Sequence, residues 1–323
     1  MWPLAVPWTA LRFGVELEFV GGRTSALDLL PGWQLLSGEA QTDDDGSQSG
    51  GELVPPPLAW AERSQLREML TRLRHAGARA GWSCGLHVHV GLQPWGEAAV
   101  LPLVQAALAC QEGLSALLRT APHRVRFCPP VTVAMERTYR AQRRPEALER
   151  RGRPQSHRCG INAKAWYDHG TVELRLPNAS LDYGEVRRTA ECCLRFVAAV
   201  GAGRGAALPA AASALAAALG APAGGYPPPV PAPLWHWERL WLEEALLPVV
   251  GPVALARVPG EVLSIRPAGD GLWVVVERPD GSPEPVLVRW TGGRFAAVQG
   301  TGEPGRSVAA PRARPDQNLS GSQ

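Results

Sequence analysis

Three short segments of the 323-residue chain each carry two ionisable residues two positions apart, with apolar residues around them. They are Val15-Glu16-Leu17-Glu18-Phe19, Leu86-His87-Val88-His89-Val90 and Val172-Glu173-Leu174-Arg175-Leu176. Residues at i and i+2 of a β-strand point to the same face, so each segment predicts a strand with one apolar and one ionisable face. An exposed antiparallel sheet also alternates in this way. Three carboxylates, two imidazoles and a guanidinium together favour the floor of a metal and phosphate site.

The segments between these strands predict helices. Apolar residues recur at helical spacing over 58–80 and 97–119, and Asp182 with Glu185 resembles a capping box that opens a helix to about residue 200. Residues 159–166 and 170–177 are expected to pair as a hairpin around Tyr167-Asp168-His169-Gly170. Antiparallel-style strands interrupted by long helices predict an α+β fold, in which a curved antiparallel sheet carries helices on one face.

The C-terminal part of the chain differs in character. We expect residues 1–250 to form the main domain, which includes an Ala-, Gly- and Pro-rich segment at 201–234. Residues 251–300 contain short apolar runs separated by turn residues such as Pro279-Asp280-Gly281, which predicts a small β-meander or SH3-like module. Residues 301–323 are polar and contain Pro and Gly, which predicts a disordered tail.

Composition excludes several classes of protein. A net charge of +3 gives no reason to expect a nucleic-acid partner. No run of 18 apolar residues occurs, so we expect neither a transmembrane helix nor a membrane partner. The first eight residues lack the basic start of a signal peptide, which makes the cytoplasm the expected location. The six cysteines form no C-x-x-C pair and are expected to be free thiols.

Nucleotide phosphates, if this chain binds them, must be held without a P-loop. The sequence contains no G-x-x-x-x-G-K-[ST] motif, and Lys164 is its only lysine beside 32 arginines. Arginines and a metal ion are therefore the groups that could neutralise a triphosphate.

The order of these motifs resembles the amidoligase family, within the glutamine synthetase and glutamate–cysteine ligase superfamily of carboxylate–amine ligases. The resemblance covers roughly residues 11–200. It rests on the ordered segments Phe13-Gly14-Val15-Glu16-Leu17-Glu18-Phe19, Asp45-Gly46-Ser47, Gly51-Glu52-Leu53-Val54-Pro55, Cys84-Gly85-Leu86-His87-Val88-His89-Val90, Ile161-Asn162-Ala163-Lys164 and Thr171-Val172-Glu173-Leu174-Arg175. It implies a sheet and helices like those of the glutamine synthetase catalytic domain, and it fixes no oligomeric state.

The resemblance also implies a set of metal ligands beside ATP. These are Glu16, Glu18, Glu52, His87 and Glu173. Carboxylate oxygens suit Mg²⁺, and an imidazole in the set also admits Mn²⁺. Glu52 alone could equally be a surface residue at a strand edge.

Three residues are predicted to take part in catalysis. Arg175 is expected to bind phosphate bidentately, and His89 faces the same way as His87 and could contact phosphate or the substrate carboxylate. Asp45, in the Gly-rich loop 42–51, could attract an ammonium group and help to deprotonate it. An ordinary solvated turn is the alternative for this loop.

Further residues are candidates for binding ATP or an acidic substrate: Arg175, Lys164, Asn162, Arg140 and Arg124. Arg140 belongs to an Arg-rich segment at 137–158, for which a solvated basic face is the alternative. Asn162 and Lys164 are expected on one face of the hairpin, where an ordinary hairpin surface is equally expected.

These predictions converge on an ATP- and metal-dependent ligase that joins a small-molecule or peptide carboxylate to an amine through an acyl phosphate. Two alternatives remain. One is a metal-dependent hydrolase that uses His87, His89 and the glutamates, with His157 or His169 as further ligands. The other is a non-catalytic protein that binds a nucleotide or peptide and recruits a partner through its β-module.

Overall fold

A computed structural model describes residues 2–150 and 158–298 of the chain. It divides into two compact units, Met1–His236 and Trp237–Gln323. The predicted boundary at residue 250 stays a prediction, because one helix, Leu234–Leu255, runs through both positions. The predicted disordered tail lies outside the described residues.

The first unit is built on one antiparallel sheet. Its strands are β1 (Phe13–Gly21), β2 (Gln34–Leu36), β3 (Gln41–Thr42), β4 (Gln48–Ser49), β5 (Gly51–Val54), β6 (Ala78–Arg79), β7 (Leu86–Gly91), β8 (Ile161–Asn162) and β9 (Thr171–Leu174). Seven of them form a sheet of order β2-β5-β1-β7-β9-β8, with β6 paired to β1. β3 and β4 form a separate two-stranded hairpin.

Alternation along the central strands separates the two faces of this sheet. The main hydrophobic core buries one set of side chains: Phe13, Val15, Leu17 and Phe19 of β1, Leu86, Val88 and Val90 of β7, and Val172 and Leu174 of β9. The residues between them therefore point to the opposite face. Burying the apolar set is the main driving force for the sheet, since each fully buried side chain contributes about 1.5–3 kcal/mol.

Helices cover the apolar face of the sheet. Those whose buried residues share its core are α1 (Ser64–His75), α2 (Val100–Leu117), α3 (Val133–Gln142), α5 (Tyr183–Gly201) and α6 (Ala212–Leu219). The remaining helices are α4 (Ala165–His169), which precedes β9, and α7 (Leu234–Leu255), which continues into the second unit. The Asp182 side chain accepts a hydrogen bond from the Glu185 backbone at 2.9 Å, so Asp182 is the N-cap of α5 as predicted. The second contact of a capping box differs, because the Glu185 side chain accepts from the Ser180 hydroxyl, and this hydroxyl accepts from the Asp182 N–H. The α+β prediction is confirmed as well. The curvature of the sheet and its glutamine synthetase-like form stay predictions.

One helical stretch, Gly96–Leu117, is long and apolar enough to cross a membrane by length and composition alone. Half of its most apolar window is buried inside the protein, and Leu103, Val104 and Ala107 of α2 belong to the main core. A core helix passes the same test, so this stretch is weak evidence for a membrane span.

The connection between β8 and β9 differs from the predicted hairpin. The two strands pair antiparallel, but α4 joins them, and Gly170 ends that helix in the left-handed conformation at φ 70°. Lys164 already has helical backbone angles (φ −62°, ψ −26°). The prediction that Asn162 and Lys164 share one strand face is therefore wrong.

The second unit contains a four-stranded antiparallel meander after α7. Its strands are β10 (Glu261–Ala268), β11 (Gly271–Glu277), β12 (Pro283–Thr291) and β13 (Arg294–Val298), paired in sequence order. They have a small core of their own, which includes Val262, Ile265, Val274, Val276 and Val288. Charged residues on this sheet pair at its surface, as Arg289 does with Asp270.

Candidate metal and phosphate site

Cross-strand pairing brings the ionisable residues of the first sheet together on the face opposite the core. The directly opposed pairs are Glu18 and Glu52, Glu16 and His87, His89 and Glu173, and Asn162 and Glu173. Opposed side chains on one face lie about 5 Å apart at Cβ, which is within reach of polar contacts. We call this group, with Arg175 just after β9, the polar cluster: Glu16, Glu18, Glu52, His87, His89, Asn162, Glu173 and Arg175.

His87 lies at the centre of the polar cluster and is buried. Its Nδ1 lies 3.4 Å from Glu16 Oε2, 3.7 Å from Glu173 Oε1 and 4.0 Å from Glu52 Oε1. Its Nε2 lies 4.0 Å from Glu18 Oε1. One imidazole is therefore surrounded by four carboxylates from three different strands.

His89, two positions after His87 in β7, lies between Glu16 and Glu173 on the same face of the sheet. Its Nε2 lies 3.3 Å from Glu16 Oε1 and 3.8 Å from Glu173 Oε1. Its Nδ1 lies 2.9 Å from the Thr171 hydroxyl. Burial lowers the pKa of His89, but Glu16 and Glu173 outweigh burial and raise it above its ordinary value. The two carboxylates therefore favour the protonated form of this imidazole.

Arg175 brings a permanent positive charge into the polar cluster. Its Nη1 donates to Glu173 Oε1 at 2.5 Å and lies 3.4 Å from His87 Nδ1. Burial opposes its charge, but Glu173 and Glu18 outweigh burial, so its pKa is raised. A guanidinium held in this way can donate hydrogen bonds to phosphate oxygens without any change of protonation.

Two carboxylates of the polar cluster stay ionised although burial opposes it. Burial raises the pKa of Glu16, but hydrogen bonds and positive charge from His87 and His89 hold it well below its ordinary value. Burial also raises the pKa of Glu173, but Arg175 and the two histidines lower it to about 2. The polar cluster therefore offers charged oxygen ligands at neutral pH.

The polar cluster contains two groups of atoms close enough to bind a cation. One is Glu16, His89 and Glu173, the other is Glu16, Glu52 and His87, and in each group the ligand atoms lie within 4.8 Å of one another. Glu16 belongs to both. Among the described residues, the buried Asn162 Oδ1 has no hydrogen-bond partner, while its Nδ2 donates to Glu173 Oε2 at 2.7 Å. This oxygen-rich set with imidazole fits Mg²⁺ or Mn²⁺.

Residues 28–197, more than half of the chain, match the model of the family described as "putative amidoligase enzyme". The chain belongs to this amidoligase family. The family name is that of a ligase-type enzyme. The matched range contains β5, β7 and β9, whereas β1, with Glu16 and Glu18, precedes it. No curated protein matches the chain.

Asp45 of this amidoligase-family chain is engaged in its own turn. It is exposed, and its carboxylate accepts hydrogen bonds from the backbone N–H and the hydroxyl of Ser47 at 2.9 and 2.7 Å. These bonds from Ser47 lower the pKa of Asp45, which makes it a weaker base. Nothing in its contacts supports the predicted role in deprotonating an amine.

The loop around Asp45 is held by several hydrogen bonds and by ion pairing with Arg79. Asp43 pairs with Arg79 and accepts a hydrogen bond from Ser49, and the Ser83 hydroxyl donates to the Thr42 carbonyl at 2.8 Å. The hairpin β3–β4 closes it at both ends. The loop is therefore a fixed wall beside the sheet.

Three predicted binding residues make other contacts. Arg140 pairs with Glu136 on the same face of α3. Lys164 lies 3.0 Å from Asp168 and 3.6 Å from Glu149. Arg124 is buried and donates to backbone carbonyls. Of the two histidines predicted to help a hydrolase, His157 lies outside the described residues, and the His169 ring contacts the His89 ring edge-to-face at 5.8 Å.

Two residues of the site were missed from sequence. Thr171 orients His89, and it lies two positions before Glu173 in β9, so period-two spacing could have placed it on the same face. The Gly85 backbone N–H donates to Glu18 Oε2 at 2.5 Å. No side-chain pattern marks such a contact, since it depends on where the backbone of β7 begins.

Proposed function

We propose that the protein is an ATP- and divalent-metal-dependent ligase that joins a carboxylate to an amine. The observation that carries this proposal is the packing of four carboxylates, two imidazoles and a guanidinium against one another on one face of the sheet. Glu52, His87 and Glu173 are buried, and Glu16 is common to both cation-binding groups. Membership of the amidoligase family supports the ligase reaction.

Metal binding is supported by the kind and charge of the ligands. Glu16, Glu18, Glu52, His87 and Glu173 are the proposed metal ligands, and the position of His89 beside Glu16 and Glu173 makes it a further one. Mg²⁺, or Mn²⁺, would supply neutralisation of the negative charge on a bound triphosphate. Because a cation and a proton compete for the His89 imidazole, metal binding there strengthens as pH rises.

The chemical steps require positioning and charge neutralisation more than covalent help from the protein. The γ-phosphoryl group moves from ATP to an oxygen of the substrate carboxylate, which releases ADP and forms an acyl phosphate. The nitrogen of the neutral amine then attacks the acyl carbon, the C–O bond to phosphate breaks, and inorganic phosphate leaves with the electron pair of that bond. One proton passes from the nitrogen to solvent or to a base, in addition to the one lost when the ammonium became the neutral amine. Arg175 is proposed to hold the phosphoryl oxygens during transfer, because its fork can donate two parallel hydrogen bonds.

The acidic loop at 42–51 is the proposed binding site for the amine substrate. Asp44 is exposed, and its backbone carbonyl accepts a hydrogen bond from Trp235 at 2.7 Å. Asp43 and Asp44 both pair with Arg79, so the exposed Asp45 is the loop carboxylate that would attract an ammonium group, without itself being a strong base. The proposed reaction requires no direct contact to ATP from Arg124, Arg140, Asn162 or Lys164.

The test is turnover of ATP with Mg²⁺ and a panel of amino acids and peptides. We expect release of ADP and phosphate that depends on a carboxylate and an amine. Glu16→Gln and Arg175→Ala should abolish it, while the matched variants of the second unit, Glu284→Gln and Arg289→Ala, should retain it. AMP and pyrophosphate as products would reject the acyl-phosphate step.

The same assay separates the alternatives. Wild-type turnover in both Glu16→Gln and Arg175→Ala would remove the ligase proposal. Tightly bound stoichiometric zinc, with hydrolysis independent of ATP, would favour a hydrolase instead. Nucleotide binding without turnover of any substrate would favour a non-catalytic binding protein.

A further inference from the structure

Arg124 is one of the largest fully buried side chains of the described residues. It belongs to a short 3₁₀ helix, Pro122–Arg126, that passes the ends of β7 and β9. Its Nη1 donates to the Cys84 carbonyl at 2.8 Å, and its Nη2 donates to the Arg175 carbonyl at 3.0 Å. One planar group therefore joins the backbone before β7 to the backbone after β9.

The peptide bond between Cys84 and Gly85 extends this link to Glu18. Arg124 binds the oxygen of this peptide, and the N–H of the same peptide donates to Glu18 Oε2 at 2.5 Å. A cation on the carbonyl oxygen polarises the peptide and strengthens the hydrogen bond that its N–H donates. A charge-assisted bond to a carboxylate is also short and directional.

We propose that Arg124 is a positioning residue that fixes the Glu18 carboxylate through the Cys84–Gly85 peptide and the Arg175 backbone through its carbonyl. Its effect on catalysis rests on the proposed function, in which Glu18 binds metal and Arg175 binds phosphate. Arg124 itself does not reach the ligand: two of its donors are bound to backbone oxygens, and its side chain is closed off from solvent.

Gly85 provides the space that this arrangement needs. A Cβ at residue 85 would lie 2.3 Å from Arg124 Nη2, 2.9 Å from Arg124 Nη1 and 2.9 Å from His87 Nε2. All three contacts are too close for any side chain. The glycine therefore allows a buried guanidinium and the central imidazole of the polar cluster to approach the same peptide.

The Gly85 amide can be observed directly by NMR. The chain contains two Cys-Gly pairs, Cys84-Gly85 and Cys159-Gly160. Full-length protein labelled with carbonyl-¹³C cysteine and ¹⁵N glycine therefore gives only two peaks in an amide–carbonyl correlation spectrum. The Gly160 peak serves as an internal reference, because its N–H donates to the Pro129 carbonyl at 2.8 Å and not to a residue of the polar cluster.

We expect the Gly85 amide proton to resonate at low field and to move upfield in Arg124→Gln and in Glu18→Gln. Arg124→Lys keeps the charge but loses the fork, so it should shift the peak part of the way. Arg126→Gln removes a charge from the same 3₁₀ helix and should leave the peak in place. If Arg124→Gln does not fold, Arg124→Lys and Glu18→Gln still decide the outcome.

Binding of Mn²⁺ alone, followed by electron paramagnetic resonance, tests the consequence for the site. Arg124→Lys should weaken binding by roughly 10-fold or more, as loss of a group that orients a metal ligand does. A Gly85 peak unmoved in folded Arg124→Lys and Glu18→Gln would overturn the proposal, and so would unchanged Mn²⁺ affinity in Arg124→Lys. Absence of Mn²⁺ binding in the wild type would instead contradict the proposed function, and the Gly85 shifts would still report on the link.

Discussion

The two larger sheets both alternate apolar and polar residues, but their polar side chains differ in how far they are exposed to solvent. In the first sheet, the His87 and Glu173 side chains are only 4% and 3% exposed and contact each other. In the second sheet, Arg289 and Asp270 pair while 41% and 72% exposed. A buried charge costs free energy unless other groups compensate it, whereas water compensates an exposed one.

The same alternation of apolar and polar residues therefore has a different consequence on each sheet. On the second sheet, the Arg289 and Asp270 side chains pair in contact with solvent. On the first sheet, residues from several strands meet, and each charge is stabilised by charges that lie far away in sequence, as Glu16 is by His87 and His89. Such a compensated, buried group of charges adds little stability compared with an apolar core of the same size.

Glu173→Ala should have the largest effect on stability. It leaves the buried Arg175 without the carboxylate that holds it, and breaking a buried pair on one side costs about 3–5 kcal/mol. Asp270→Ala removes the partner of Arg289 at the surface and should cost at most about 1 kcal/mol. Urea denaturation of both variants in chelator-containing buffer measures the two losses. Equal, small losses would show that the two sheets do not differ in this respect.

Addition of metal should stabilise the first sheet alone. A ligand that binds only the folded state at 100 times its Kd raises the free energy of unfolding by about 2.7 kcal/mol. We expect this gain with Mg²⁺ or Mn²⁺ in the wild type and in Glu284→Gln. Glu16→Gln should lose it, because Glu16 belongs to both cation-binding groups. A gain that persists in Glu16→Gln would place the metal elsewhere.

Much of the first sheet could be predicted from sequence because local periodicity determines which face each residue occupies. The same-face pairs Glu16 and Glu18, and His87 and His89, follow from spacing alone. Their contact with Glu52 depends on register between strands more than 30 residues apart, and the resemblance to a ligase family, not periodicity, indicated it.

The errors arose where local signals compete with tertiary contacts. The Asp-x-Gly turn signal at 168–170 was correct about a reversal of the chain, but α4 forms there and moves Lys164 off the strand. Arg124 was expected to bind ATP or an acidic substrate because the resemblance matches it to a position where family members often have polar residues. In the structure it donates to backbone carbonyls, which no side-chain pattern in the sequence can show.

Thr171→Val tests whether the orientation of the His89 ring depends on its hydrogen bond to the Thr171 hydroxyl. Loss of the hydrogen bond to His89 Nδ1 should cost about 1 kcal/mol of stability and should lower Mn²⁺ affinity by roughly 10-fold or more. Thr171→Ser keeps the hydroxyl and should retain both properties. If the valine variant binds Mn²⁺ as the wild type does, His89 needs no orienting partner.

The smallest effect concerns pH, and it again separates the two units, because residues 237–323 contain no histidine. His123 is buried in the first unit, and burial lowers its pKa below 6.5 despite its hydrogen bond to the Trp82 carbonyl. In this pH range His123 is therefore more often protonated in the unfolded chain than in the folded one, and stability falls as pH drops from about 6.5 towards the folded pKa.

His123→Gln keeps a donor for the Trp82 carbonyl but cannot titrate, so it should lose less stability than the wild type over this range. The exposed His75→Gln should follow the wild type in urea denaturation at each pH. If His75→Gln flattened the pH profile and His123→Gln did not, burial would not be what sets the acid sensitivity of the first unit.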